Sequence, residues 1–293
     1  MNTHEPVMLK EMLELLSPKE GSIYVDATFG GGGYSKGILE SAKCSVLGMD
    51  QDSTVEWFYK TLHDEFPGRV RFCVCRFSKL QEAVVFSLGI ENIDGIVFDV
   101  GVSSMQLGAP DRGFSFMHDG PLDMRMGQSV TERSAEMFVR SLPEKDMADV
   151  IFYYGGERLS RRVARAIASS RSKINSTRDL ANIVRSVVPR SKAHPIDPAT
   201  RTFQAIRIWV NDELTELKAG LIAASRILNI GGKIVVTSFH SLEDRIVKQE
   251  FSSLCSSGRF RLLNRKVIRP SEEEIRANSR ARSAKMRAII REY

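Results

Sequence analysis

The stretch Y-V-D-A-T-F-G-G-G-G-Y-S-K-G-I-L, from Tyr24 to Leu39, constrains this chain more than any other. Ile23–Val25 reads as a short strand that runs into an acid, Asp26. Gly30 to Gly33 follow, and a helix opens near Ser35. Glycines let the backbone take positive φ and approach a ligand closely. The helix start behind them presents unpaired N–H groups. A second strand, V-L-G-M, ends in Asp50, where an acid typically grips ribose hydroxyls. Strand, glycine loop, helix, strand, acid is the layout of a nucleotide-type cofactor site at the edge of a parallel sheet.

The same alternation continues downstream. Helix is expected over 53–63 and 80–88, and strand over 70–75 and 95–99, which implies βαβ units and a parallel sheet. A helix is also expected over 5–16, stopped by Ser17-Pro18. After Asp99 the alternation ends. Residues 105–128 read as a long ordered loop, and loops of that length are usually functional. Helical spacing then recurs over 135–140, 144–153, 159–170, 177–187 and 200–228. A turn at Gly231-Gly232 returns the chain to a buried strand, Lys233–Ser238, and a new helix starts near His240. The tail 278–287 is basic and expected to be ordered only in part. The expected fold is therefore α/β, a Rossmann-like sheet interrupted by an all-helical insert. The expected domains are 1–106 and 211–293 for the two parts of the sheet domain, the second carrying the basic tail. Residues 107–210 form the loop and the helical insert for substrate recognition.

Charge is unevenly spread. Residues 1–128 hold 11 basic and 18 acidic side chains, residues 129–210 hold 15 and 8, and residues 258–293 hold 11 and 4. An acidic cofactor half beside two basic segments suggests a polyanionic partner. Arg158, Arg161, Arg162 and Arg165 of the insert, with the tail, are the expected grip. Phe114, Phe116, Phe203 and Trp209 are candidates to stack an extruded base. Cys44, Cys73, Cys75 and Cys255 lack C-x-x-C spacing, so free thiols and no metal are expected. No secretory leader or membrane-spanning run is visible, which points to the cytoplasm.

The glycine loop is neither a P-loop, since no Gly-Lys-Ser/Thr follows, nor a clean G-x-G-x-x-G, since the third glycine position falls on Lys36. Asp26, Asp50 and Asp99 all stand at strand ends on one rim. That acidic rim suits S-adenosylmethionine, which carries a sulfonium and an ammonium and no phosphate. Asp50 would take the ribose hydroxyls, and Asp26 would hold the loop or the ammonium end.

Further strings complete a pattern: H-E-P-V-M-L at 4–9, G-M-D-Q-D at 48–52, F-D-V-G-V-S-S-M-Q-L at 98–107, D-R-G-F-S-F at 111–116, P-L-D-M-R-M at 121–126 and S-F-H-S-L-E-D-R at 238–245. In this order, over nearly the whole chain, they resemble the bacterial small-subunit ribosomal RNA cytosine-N4 methyltransferases, the MraW/RsmH family. The resemblance implies a class I methyltransferase sheet with a helical insert, and methylation of a cytidine in the decoding (P-site) region of small-subunit rRNA. By motif it places the cofactor on Gly32, Gly33, Tyr34, Asp50, Phe77, Asp99 and Gln106. Position 34 is usually His in that family and is Tyr here. The partner would be small-subunit rRNA or the 30S subunit, with a homodimer left open.

Cytosine's exocyclic amine is a poor nucleophile, because its lone pair is delocalised into the ring. Alignment with the methyl donor and an acceptor for an amine proton should supply the rate. No D/N/S-P-P-Y/F motif follows the fourth strand. Asp99, or a carbonyl within Val100–Ser103, is the expected acceptor, with Ser238 and His240 lining the same mouth. His240 has an equal claim as a helix cap. No cysteine follows a strand-end Pro or Thr, which disfavours C5 chemistry. Methylation of another RNA or a protein, or RNA binding on a vestigial cofactor fold, stays open on sequence.

Overall fold

The computed structural model describes residues 6–190 and 196–293. In chain order the elements are α1 (Leu9–Leu16), β1 (Ile23–Asp26), α2 (Gly33–Ser41), β2 (Ser45–Asp50), α3 (Glu56–Glu65), β3 (Val70–Val74), α4 (Leu80–Leu88) and β4 (Ile93–Asp99). The helical stretch follows: α5 (Ser104–Gly108), α6 (Ala135–Ser141), α7 (Glu144–Gly155), α8 (Ser160–Ser169), α9 (Thr177–Val187) and α10 (Ala199–Asn211). The chain closes with α11 (Glu213–Ile227), β5 (Leu228–Ser238), α12 (Ser241–Ser256), β6 (Phe260–Leu262), α13 (Glu272–Ala277) and β7 (Lys285–Arg291). Two compact units result, Met1–Gly101 with Leu214–Tyr293, and Val102–Glu213.

The first unit is a seven-stranded sheet in the order β3-β2-β1-β4-β5-β7-β6. Strands β1 to β5 are parallel, and β7 runs antiparallel to both β5 and β6. This is the doubly wound α/β sheet that the resemblance implies. Alternation along each strand sorts side chains to two faces. Val25, Leu47, Met49, Ile96 and Phe98 pack with Leu80 and Val84 of α4, Leu217 and Leu221 of α11, and Val247 and Phe251 of α12. Tyr24, Val46 and Val97 face the other way, against Met12 of α1, Ile38 of α2 and Leu62 of α3. Cys73 and Cys75 lie together against the first of these cores as free thiols.

The second unit has its own core. In α8 the apolar residues Val163, Ala164 and Ile167 recur at helical spacing and are fully buried, while Arg161, Arg162 and Arg165 face outward. Loop 109–128 is knotted by its motif residues. Arg112 is buried and donates through Nη2 to the carbonyls of Arg125 (3.0 Å) and Met126 (2.8 Å). A side chain at Gly113 would stand 2.1 Å from the Pro121 carbonyl, so the crossing requires glycine.

Three expectations are corrected. The single helix over 200–228 is two helices, because Asp212 is left-handed at φ 52° and ends α10. The turn at Gly231-Gly232 sits within β5, as a bulge between the pairs Ile93–Leu228 and Gly95–Lys233. The basic tail is not loose: Lys285–Arg291 is an inner strand, with Met286, Ala288 and Ile289 buried. Its alternation was short and interrupted by Lys285, Arg287 and Arg291, all partly buried.

Asn211, one residue before that break, is buried. It accepts from the Met126 N–H (2.7 Å) and donates to the Met124 (2.8 Å) and Arg207 (2.9 Å) carbonyls. Asn211→Ala orphans buried backbone groups in the loop, at about 2–3 kcal/mol. Native-state hydrogen exchange at the Met126 amide should accelerate at least about tenfold. Unchanged exchange would show that the loop is held by other means.

Candidate cofactor and active site

Four strand ends, β2, β1, β4 and β5, stand side by side at the carboxyl rim of the sheet. Asp26 pairs with Gly48 and Val97, so Asp50 and Asp99 lie two residues beyond its neighbours, and Asp99 pairs with Thr237. In open α/β sheets, ligands bind outside this rim where the winding reverses, here between β1 and β4.

The glycine loop is clasped from beneath. Asp26 is fully buried. Its Oδ2 accepts from the Ser35 N–H (3.1 Å) and hydroxyl (2.8 Å), and its Oδ1 from the Thr28 N–H (3.2 Å). One carboxylate thus ties the exit of β1 to the first turn of α2. Burial raises Asp26 to about 6, and its hydrogen bonds hold it from rising further. Asp50 accepts from the Gly30 N–H through Oδ2 (2.8 Å) and from the Asp52 N–H through Oδ1 (2.9 Å). It too is raised to about 6, by burial, against the pull of those bonds. Two bonds leave its carboxylate with lone pairs for further donors such as ribose hydroxyls. Gly32 caps α2 at φ 76°, which favours glycine. Phe29 lies against Gly48, where a side-chain carbon would stand 2.4 Å from its ring.

Asp99 differs from both. Its N–H donates to the Thr28 hydroxyl oxygen (2.7 Å). Its Oδ1 is sealed from solvent and has no hydrogen-bond partner among the described residues, although the residue as a whole is half-buried. Burial first, then the neighbouring charges of Asp26 and Glu243, push its carboxyl up to about 8.

The other predicted residues have defined places. Tyr34 is buried and its hydroxyl donates to the Val7 carbonyl (2.6 Å) and lies 3.1 Å from the Thr237 hydroxyl. Its side chain therefore bonds to protein, and only its backbone shares the loop with Gly32 and Gly33. Phe77 follows β3 and meets Phe98 edge-on at 5.4 Å, with Gly220 of α11 closing in behind it. Ser238 is buried, and its hydroxyl donates to the Lys285 carbonyl (3.3 Å). His240 is the N-cap of α12. Its Nδ1 accepts from the Glu243 N–H (3.3 Å), while Glu243 Oε2 accepts from the N–H groups of Phe239 (2.8 Å) and His240 (3.1 Å). Gln106 belongs to the second unit, where it forms a capping box with Ser103 at the start of α5.

The rim thus gathers Gly32, Gly33, Asp50 and Asp99 with the backbone of Tyr34, while the hydroxyl of Ser238 and the Nδ1 of His240 bond within the protein. Sequence reading missed Glu243, a fully buried carboxylate that holds the Phe239–His240 turn and adds to the charge around Asp99. The signal was there: Glu three residues after a helix-capping residue is the capping-box spacing. It also missed Thr28, which joins Asp26 to β4.

The sequence model of the MraW methylase family matches residues 1–292 of this chain. Curated relatives align end to end. A "Ribosomal RNA small subunit methyltransferase H" from Anaplasma phagocytophilum (strain HZ) is 67% identical over 296 residues, covering 100% of both chains. One of the same name from Anaplasma marginale (strain Florida) is 62% identical, covering 98% of this chain and 99% of its own. Another, from Wolbachia sp. subsp. Drosophila simulans (strain wRi), is 59% identical and covers 99% of each. The chain belongs to the MraW methylase family, and S-adenosylmethionine is its cofactor.

Proposed function

We propose that this protein methylates N4 of a cytidine in the decoding region of small-subunit ribosomal RNA, in the cytoplasm. The observation that carries the reading is the Asp99 carboxyl, with Oδ1 buried and without a hydrogen-bond partner among the described residues, beside a glycine loop held by Asp26 and Asp50. The basic insert supplies the surface for a polyanionic substrate. Among the described residues no helix is long and apolar enough to cross a membrane.

These residues fit the cofactor. Asp50 retains acceptor capacity for a ribose, the positive-φ loop ending at Gly32 allows close backbone approach, and the acid-rich rim suits a cation. When bound, S-adenosylmethionine supplies an electrophilic methyl group on a sulfonium. The protein's own work is to hold an amine in line with it and to take the amine's proton. Asp99 suits the second task. A carboxyl poised near the working pH is the better general base, since both of its forms are accessible. Its carboxyl, with one oxygen lacking a hydrogen-bond partner among the described residues, keeps acceptor capacity on this rim.

Mass-spectrometric mapping of nucleosides from small-subunit rRNA, with and without the protein, tests the activity. The expected product is N4-methylcytidine at one site, and its absence rejects the reading. Asp99→Asn separates two roles of one residue. Single-turnover methyl transfer at saturating cofactor should fall by about 10²-fold or more, with cofactor affinity changed far less. A loss confined to cofactor affinity would remove Asp99 from the proton transfer.

Asp99 also predicts a pH dependence. Its folded value of about 8 lies above the ordinary carboxylate range, so the folded state holds a proton at neutral pH that the unfolded chain releases. This contribution is fully present below about pH 4 and is lost as pH rises through about 8. Asp26 and Asp50, raised to about 6, lose theirs earlier. Stability of the cofactor-free protein should fall between pH 4 and 8, and Asp99→Asn should flatten the portion between 6 and 8. Denaturant unfolding across that range reads both slopes, and parallel curves for the two proteins would show that Asp99 is ionised throughout.

A further inference from the structure

The four aromatics that the sequence offered for base stacking are packed inward. Phe114 and Phe203 are buried, and Phe116 and Trp209 lie against the same insert core. Two others are not. Phe152 and Tyr153, in the last turn of α7, are 49% and 66% exposed, with ring centroids 5.2 Å apart at 80°. Consecutive helical positions point about 100° apart, and the packing stripe of α7 is carried by Met147, Ala148 and Ile151. Neither ring is needed to seal that core.

The chain turns at Gly155-Gly156 and enters α8. Arg158, Arg161 and Arg162, around the start of that helix, are exposed and form no ion pair among the described residues. Their placement does not favour the helix: the positive end of a helix dipole prefers acids, and the first turn of α8 has none. Two solvent-facing rings and three unpaired guanidinium groups therefore share one end of the α7–α8 hairpin. Rings that stack with any base, beside cations that meet its phosphates, are the chemistry of single-stranded nucleic acid recognition.

We propose that this end of the insert is a stacking platform for an unpaired segment of the RNA substrate, with Phe152 and Tyr153 holding bases and Arg158, Arg161 and Arg162 their phosphates. It rests on the reading of the substrate as rRNA, and it adds a contact made by residues outside the sheet domain. Protein partners also favour exposed aromatics, but an uncompensated trio of arginines at the same turn favours a polyanion.

The test uses the full chain and a fluorescent single-stranded oligonucleotide with the sequence around the methylated cytidine. Phe152→Ala with Tyr153→Ala should weaken binding by about 5- to 20-fold and leave the salt slope unchanged. Arg161→Gln with Arg162→Gln should weaken it and reduce the slope of log affinity against log salt by about 1.4, two phosphates' worth on a single strand. S-adenosylmethionine affinity serves as the folding control and should stay within twofold in both. Unchanged oligonucleotide affinity in both variants overturns the platform. A loss seen only with assembled 30S subunits, and not with the oligonucleotide, overturns it in favour of a protein contact. Absence of N4-methylcytidine together with weakened oligonucleotide binding would instead reject the substrate reading and leave the platform standing.

Discussion

A single buried carboxylate organises the cofactor rim. Asp26 receives three hydrogen bonds from Thr28 and Ser35, which lie on opposite sides of the glycine loop. Taking a carboxylate out of water is costly unless donors replace the water. Here the donors are the backbone and hydroxyl groups that close the turn, so the loop can reach no other shape without exposing that charge to an apolar interior. The start of α2 follows from this, and so does the burial of Tyr34 one residue before Ser35. Thr28 passes the constraint on, since its hydroxyl oxygen accepts from the Asp99 N–H. The ends of β1 and β4 are thereby fixed to one another at the point where the sheet's winding reverses.

Tyr34 stands where the resemblance implies a histidine. The tyrosine hydroxyl reaches past the sheet end to bond both the Val7 carbonyl and the Thr237 hydroxyl. It thereby pins the segment before α1 to β5, while a side-chain carbon at Gly33 would stand 2.9 Å from the Pro6 ring. The side chain spends its polar atom on the protein's own strands, so the exchange leaves the backbone of the loop available to a ligand.

Much of this architecture was legible. Strand-end acids at 26, 50 and 99 and the alternating β and α signals located the rim, because period-2 and period-3.6 patterns are imposed locally. Features set by distant partners were not. The break at Asp212 depends on Asn211 reaching Met124 and Met126, over 80 residues away, and nothing in the helical spacing marks it. Strand β7 was hidden because Lys285, Arg287 and Arg291 dilute its apolar alternation; Arg287 and Lys285 both pair with Asp244 of α12, a contact only the fold creates. The bond of the Ser238 hydroxyl to the β7 backbone was likewise set by a distant partner. The capping of α12 by His240 is local, three residues long, and was one of the two roles open to it on sequence.

The three rim acids also explain why their identities are not interchangeable. Close carboxylates cannot all ionise cheaply, so something must decide which one keeps its proton. Hydrogen-bond inventory decides it. Asp26 and Asp50 each receive backbone donors, which stabilise their anions and keep both near 6. Asp99 donates its own N–H to Thr28 but receives nothing at Oδ1 among the described residues, and it stands beside the charges of Asp26 and Glu243. The proton therefore settles on Asp99. Two acids hold the loop and a third, built into the same rim by the same threonine, is left to respond to whatever enters. On the proposed function, a cation arriving at the rim would release that proton, and an amine losing one would return it. The loop's stability and the poise of Asp99 thus have one origin, the burial of Asp26 beneath the glycines.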